Sequence, residues 1–229
     1  MKTIGLIGGL SWESTAEYYR LINQETQRRL GGVHSAECLL WSFDFGKIEQ
    51  LQASGAWDDA TRLMVQAAQR LERGGAECLL ICSNTMHRMA DEVQAGVAIP
   101  LIHIADPTAK ALAKAGLQQV ALLGTRYTME QTFYRARLEA HGFEVRVPNE
   151  AGRALVNKVI YEELIRGVIR PESRQAYQQV IQQMADEGAQ SVILGCTEIG
   201  LLIKPSDSVL PSYDTTHLHA LAAVDFALS

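Results

Sequence analysis

The 229 residues suit two compact units better than one small domain, since about 100–150 residues make a typical unit. Apolar residues make up 47% and charged residues 21%, which excludes global disorder; a net charge of -5 with no basic run removes the electrostatic basis for nucleic-acid binding. No apolar run approaches the roughly 18 residues needed to cross a bilayer, and the N-terminal stretch breaks at Gly8, Gly9 and Glu13 with no small-residue cleavage site, so a cytoplasmic protein with no membrane partner is expected.

In chain order, Ile-, Leu- and Val-rich runs predict strands at 3–8, 37–43, 77–82, 100–104, 119–124, 143–147 and 191–195, with a shorter one near 208–211. Several are apolar throughout, as strands buried on both faces should be. Between them, helical periodicity covers 13–29, 57–73, 85–95, 107–115, 130–141, 153–166, 171–186 and 215–228. Gly74, Gly75, Gly116 and Gly188 stand where those helices would stop. The alternation predicts an α/β protein built on mainly parallel sheets flanked by helices.

The chain also contains a faint copy of itself. Thr3-Ile-Gly-Leu-Ile-Gly leads to a helix carrying Tyr18, Tyr19 and Arg20, and Gln119-Val-Ala-Leu-Leu-Gly leads to one carrying Phe133, Tyr134 and Arg135. Cys82 lies 78 residues after Ile4, and Cys196 lies 76 after Val120. Nearly equal offsets at two polar strand ends favour duplication, hence two pseudo-symmetric lobes. The expected division is 1–104 plus 212–229 for an N-terminal lobe and 105–211 for a C-terminal one, with the final helix packing back onto the first.

Ligands of open parallel sheets bind beyond the carboxyl ends of the strands. Four such ends carry small polar residues: Gly8-Gly9-Leu10-Ser11, Ser83-Asn84-Thr85, Thr125 through Thr128, and Cys196-Thr197-Glu198. A helix starting after each would offer main-chain N–H groups to a small anion. Ser11, Asn84 and Thr85 serve equally well as plain helix caps, and so do Thr125 and Thr128. Neither GxGxxG nor GxxxxGK[ST] is present, which disfavours dinucleotides and ATP.

Four cysteines, Cys38, Cys78, Cys82 and Cys196, are too few for a disulfide scaffold. The CxxxC spacing of Cys78 and Cys82 is no zinc ribbon, and the six histidines form no HExxH or HxxxH group, so no metal is expected. Cys38 and Cys78 read as core. Cys196, after Gly195 and before a helix start, reads either as a thiol activated by the helix dipole or as a buried core cysteine.

Taken together, GGLSWEST, CSNTMH, LLGTRYTMEQTFYR, KVIYEEL and LGCTEIGLL resemble the aspartate/glutamate racemase family, most closely its L-aspartate/glutamate-specific branch. The resemblance runs from the first residues to about Leu202. It implies a cofactor-independent amino-acid racemase, a homodimer in the family pattern, acting on a small anionic amino acid. It also implies a catalytic pair, one residue from each lobe, on opposite faces of the substrate Cα.

The pair carries over as Cys196 and Ser83. Members with two catalytic thiols have cysteine directly before Asn-Thr, where this chain has Ser83; Cys82 sits one residue earlier and reads as packing unless the strand ends in a bulge. The expected substrate contacts are Leu10, Ser11, Gln52, Asn84, Thr85, Thr125, Thr128, Arg166, Thr197 and Glu198. Gln52 and Arg166 are candidates for the side-chain carboxylate. Glu198 is a candidate to orient or raise the basicity of its neighbour. His87, one turn after Ser83, reads as a structural histidine in contact with that loop. The alternatives to a racemase are a single-cysteine decarboxylase resembling arylmalonate decarboxylase and an acidic amino-acid binding protein without turnover.

Overall fold

The computed structural model describes residues 1–229 and divides into two units, Met1–Ile104 with His219–Ser229, and Ala105–Leu218. In the first unit β1 (Ile4–Gly8) runs parallel between β2 (Cys38–Ser42) and β3 (Cys78–Ile81), with Ile4 opposite both Cys38 and Cys78. Strand alternation sorts the side chains. Ile7, Leu79 and Ile81 meet Met64, Ala68 and Leu71 of α3 (Trp57–Arg73). Leu6, Cys78, Leu80 and Cys82 meet Tyr18 and Ile22 of α1 (Trp12–Leu30) and Ala220 and Val224 near the C-terminus.

Local chemistry sets the turn that opens α1. Gly9 has φ +69, and a Cβ there would run into the main chain of Phe43, so only glycine fits. The Ser11 hydroxyl then caps the helix by accepting from Ser14 N–H at 3.3 Å. A short helix, α2 (Phe45–Ala53), is capped by Asp44, whose carboxylate accepts from Gly46 N–H. The unit continues after β3 with a 3-10 turn (Thr85–Met89) and α4 (Ala90–Ala95).

The second unit begins with α5 (Ala105–Lys114) and β4 (Gln119–Gly124), then α6 (Arg126–Glu130), α7 (Thr132–Ala140) and β5 (Glu144–Arg146). It continues through α8 (Glu150–Glu162), a 3-10 turn (Leu164–Arg166) and α9 (Pro171–Asp186) to β6 (Ser191–Gly195), α10 (Ile199–Leu202) and β7 (Ser212–Asp214). The strands are all parallel in the order β5-β4-β6-β7, so the first three repeat the β2-β1-β3 order of the other sheet. Ala121, Leu123, Val192 and Leu194 pack on Val156, Ile160, Tyr177 and Ile181 of α8 and α9. Gly124 and Gly195 stand opposite one another, and a Cβ on Gly124 would lie 2.7 Å from the Gly195 carbonyl oxygen. Their lack of side chains lets the two strand ends approach.

The expected α/β class with two parallel, helix-flanked sheets is what the chain forms. Several boundaries differ from expectation. The return to the first unit comes at His219 and not at 212, because Ser212–Asp214 is the edge strand of the second sheet; the strand expected at 208–211 lies just before it. The last helix, α11 (Thr215–Ala227), therefore starts in one unit and ends in the other. The strand expected at 100–104 is reduced to one bridge, Leu79 to Leu101, since Pro100 has no N–H and Ile104 gives its own to a histidine ring. The helix expected at 85–95 divides into the 3-10 turn and α4, while that expected at 130–141 is α7, preceded by the short α6, which was not foreseen. The helix at 45–53 was not foreseen, being too short to show a clear period.

Candidate active site

At the carboxyl end of β3 the chain turns sharply. Cys82 is fully buried in the core shared by α1 and α11, and burial pushes its thiol far above the usual range. Ser83, the next residue, is half-buried. Its N–H donates to Ile81 O at 2.8 Å, and its carbonyl accepts from His87 Nδ1 at 2.7 Å. Its hydroxyl receives only a long contact, 3.4 Å, from Met86 N–H.

Neighbouring segments of the first unit gather at this turn. The Ser14 hydroxyl donates to Cys82 O at 3.3 Å and ties the start of α1 to the end of β3. Gln52 Nε2 on α2 points at Met86 Sδ, 3.1 Å away, and Leu10 shares a core cluster with Met86. Leu10, Ser11, Gln52, Ser83, Asn84 and Thr85 are thus brought together. Ser11 has φ +146, a conformation rare for a residue with a side chain and one that concentrates at ligand-binding loops.

In the second unit Thr125 caps α6, accepting from Thr128 N–H at 3.3 Å, and the two hydroxyls lie 3.2 Å apart. Thr128 also borders Gly195: a Cβ on that glycine would lie 3.5 Å from Thr128 Cγ2. Directly after Gly195, Cys196 Sγ donates to Glu198 Oε2 at 3.0 Å, and the Thr197 hydroxyl donates to the same oxygen at 2.7 Å. Cys196, Thr197 and Glu198 are all buried. Arg166 lies on the surface, at the end of the 3-10 turn after α8.

Two expectations about these loops need correction. Four helix N-termini were to supply positive dipole ends, but α6 has 5 residues, α10 has 4, and the Ser83 turn opens a 3-10 segment; only α1, with 19, is a full helix. The dipole was also to lower the Cys196 pKa, whereas the thiol is held well above its ordinary value. Burial is the largest cause, followed by the charge of Glu198 and the hydrogen bond to it. The main-chain N–H groups of Glu198 and Thr197 act in the opposite direction and are outweighed.

A cluster of rings that the sequence did not announce lies behind Ser83. The His87 ring centroid is 4.6 Å from that of His103 and 5.6 Å from that of His219. These histidines are far apart in the chain and share no motif, so no spacing signal could have grouped them. No group of three His, Cys, Asp or Glu side chains is arranged to hold a metal ion, and no helix is long and apolar enough to cross a membrane.

The sequence model for Asp/Glu/Hydantoin racemases matches residues 7–223. The chain belongs to that family. Among solved structures of similar fold is a candidate Asp/Glu racemase from Yersinia pestis, 52% identical over 100% of both chains with a TM-score of 0.93. An aspartate racemase homologue from Pyrococcus horikoshii OT3 is 35% identical over 100% of both chains, with a TM-score of 0.85. The broad specificity amino-acid racemase RacX of Bacillus subtilis is 24% identical over 172 residues, 75% of this chain and 74% of that protein. The chain spans only about half the length of the glutamate racemases that it also matches, 53% and 55% for two of them. As a member of the racemase family, the protein is an amino-acid racemase.

Proposed function

We propose that this racemase inverts aspartate and glutamate by proton transfer at Cα, with no metal or organic cofactor, using Cys196 on one face of the substrate and Ser83 on the other. The observation that carries the reading is the buried 3.0 Å contact from Cys196 Sγ to Glu198 Oε2 at a polar strand end. A protonated thiol cannot remove a proton, so the carboxylate beside it supplies what the sulfur lacks. As substrate binds, Glu198 accepts the thiol proton, and the thiolate removes the Cα proton of the L-enantiomer. Ser83, or a water held by it, delivers a proton to the opposite face and is reprotonated from solvent. The sulfur ends the cycle carrying the former Cα proton, and Glu198 returns its own to water. The proton count closes.

Without a cofactor to take up charge, the carbanion depends on preorganised donors around the substrate carboxylate. Asn84, Thr85, Thr125, Thr128 and Thr197 offer polar groups at the strand ends, Leu10 and Ser11 the strained loop before α1, and Gln52 and Arg166 contacts for the second carboxylate. A homodimer in the cytoplasm belongs to the same proposal. Sedimentation velocity tests the dimer against a 25.2 kDa monomer.

Proton NMR in D₂O with both enantiomers of aspartate and glutamate, combined with chiral chromatography, tests the reaction. Deuterium at Cα together with the opposite enantiomer is the expected result, lost in Cys196→Ala. Absence of Cα exchange in the unaltered enzyme overturns the proposal. A sulfur donating to a carboxylate at 3.0 Å also suits delivery of a proton to a carbanion left by loss of carbon dioxide. Carbon dioxide release from a disubstituted malonate, without amino-acid exchange, would decide for that chemistry.

A further inference from the structure

We propose that His87 is a positioning residue for the inversion step, holding the Ser83 turn to the segment by which the chain leaves the first unit. The inference rests on the catalytic reading of Ser83 given above. It starts from two hydrogen bonds to one ring. Ile104 N–H donates to His87 Nε2 at 3.1 Å, so that nitrogen presents its lone pair. The proton of the neutral ring is therefore on Nδ1, which donates to Ser83 O at 2.7 Å. The imidazole is fixed as one tautomer, with one end on Ser83 and the other on Ile104.

Both attachments are placed where they bear on the reaction. Ser83 N–H is held by Ile81 O, so the histidine completes the clamp on the Ser83 main chain while leaving the hydroxyl only loosely engaged. Ile104 is the last residue before the chain passes to the second unit. The return crossing is tied to the same place. His219, the first residue back in the first unit, donates from Nε2 to Ile102 O at 2.7 Å and accepts from the Tyr18 hydroxyl at Nδ1, 2.8 Å away. Its ring packs edge-on against His87. Both nitrogens of this buried ring are thereby satisfied, and one of the two main-chain partners belongs to the residue proposed to deliver the proton.

A positioning role makes a prediction that a purely structural one does not. Deuterium enters L-substrate through Cys196 alone whenever the sulfur removes a proton and returns a deuteron to the same face. Net inversion needs Ser83 as well. The ratio of inversion to exchange therefore reports on the Ser83 side of the reaction and is insensitive to the amount of folded enzyme.

Two amides divide the ring's functions. His87→Asn places an N–H near Nδ1 and keeps the hold on Ser83 O, while His87→Gln reaches the Nε2 position and keeps only the partner at Ile104. With L-aspartate in D₂O, His87→Gln should lower the inversion-to-exchange ratio about tenfold, the worth of one well-placed hydrogen bond, and His87→Asn should leave it within about twofold. Equal losses of exchange and inversion in both variants overturn the positioning role and leave Ser83 and Cys196 in place. A lack of Cα exchange in the unaltered enzyme overturns the racemase reading and this inference with it. Should His87→Gln not fold, nitrogen NMR of the unaltered protein reads the tautomer directly. A protonated Nδ1 is expected, and a ring protonated at Nε2 overturns the proposal.

Discussion

The ends of β3 and β6 occupy corresponding places in the three-strand order that the two sheets share, yet they present opposite chemistry. The β6 end buries its sulfur: Cys196 is 8% exposed, and burial first, then the carboxylate that it faces, raises its pKa. The β3 end keeps its sulfur, Cys82, in the core and offers a half-buried hydroxyl held through its main chain. Duplicated topology has preserved the position of a strand end and not the acidity of what stands there. At Cys196, burial first and then the charged oxygen of Glu198 raise the thiol pKa, whereas the nearest ring to Ser83 holds its main chain and not its hydroxyl.

The largest test of that contrast is Cys196→Ala, which should lower both Cα exchange and inversion by at least about a thousandfold, the scale of a lost acid–base group. Measurable exchange in this variant would mean that the proton is removed elsewhere. Glu198→Gln comes next. Removing the carboxylate charge removes two of the causes that raise the thiol pKa, so the ultraviolet signature of thiolate should develop at lower pH than in the unaltered enzyme. Turnover should nevertheless fall, by about a hundredfold, because the acceptor for the thiol proton is gone. A fall in turnover with no downward movement of thiolate formation would disconnect Glu198 from the sulfur.

Ser83→Cys would make the two ends more alike. Removal of the proton from the D-enantiomer should quicken by about tenfold, since a thiol ionises far more readily than a hydroxyl. Unchanged kinetics would argue against Ser83 and reopen the case for Cys82. The smallest effect is expected from Cys82→Ala. A lost buried sulfur should lower the melting temperature, at a cost of about 1–2 kcal/mol, while the inversion-to-exchange ratio stays put. A change in that ratio would place Cys82 in the chemistry.

The α/β class was legible in the sequence because strands buried on both faces, such as those at 120–124 and 192–195, carry unbroken runs without a polar side chain. The repeat was legible because both copies keep glycine at a strand end. Short elements were harder. Residues 45–53 form a helix only two turns long, and 100–104 look like a strand but pair at a single residue. In the candidate site, the polar strand ends were found by their place in the pattern. The sequence left Cys196 open between an activated thiol and a buried one, because its acidity depends on burial and on where the Glu198 side chain folds back, neither of which composition records. The gathering of His87, His103 and His219 is likewise a product of tertiary structure.

The split of α11 between the two units has a consequence for how the protein can be taken apart. Lys2 N–H donates to Ala227 O at 2.8 Å, which sets the beginning and end of the first unit side by side. A circular permutation that fuses residue 229 to residue 1 and opens the chain between Ile104 and Ala105 would turn a discontinuous unit into a single uninterrupted stretch. Expressing residues 1–104 by themselves would instead strip Ala220, Ala223 and Val224 from one face of the sheet and leave it open to aggregation.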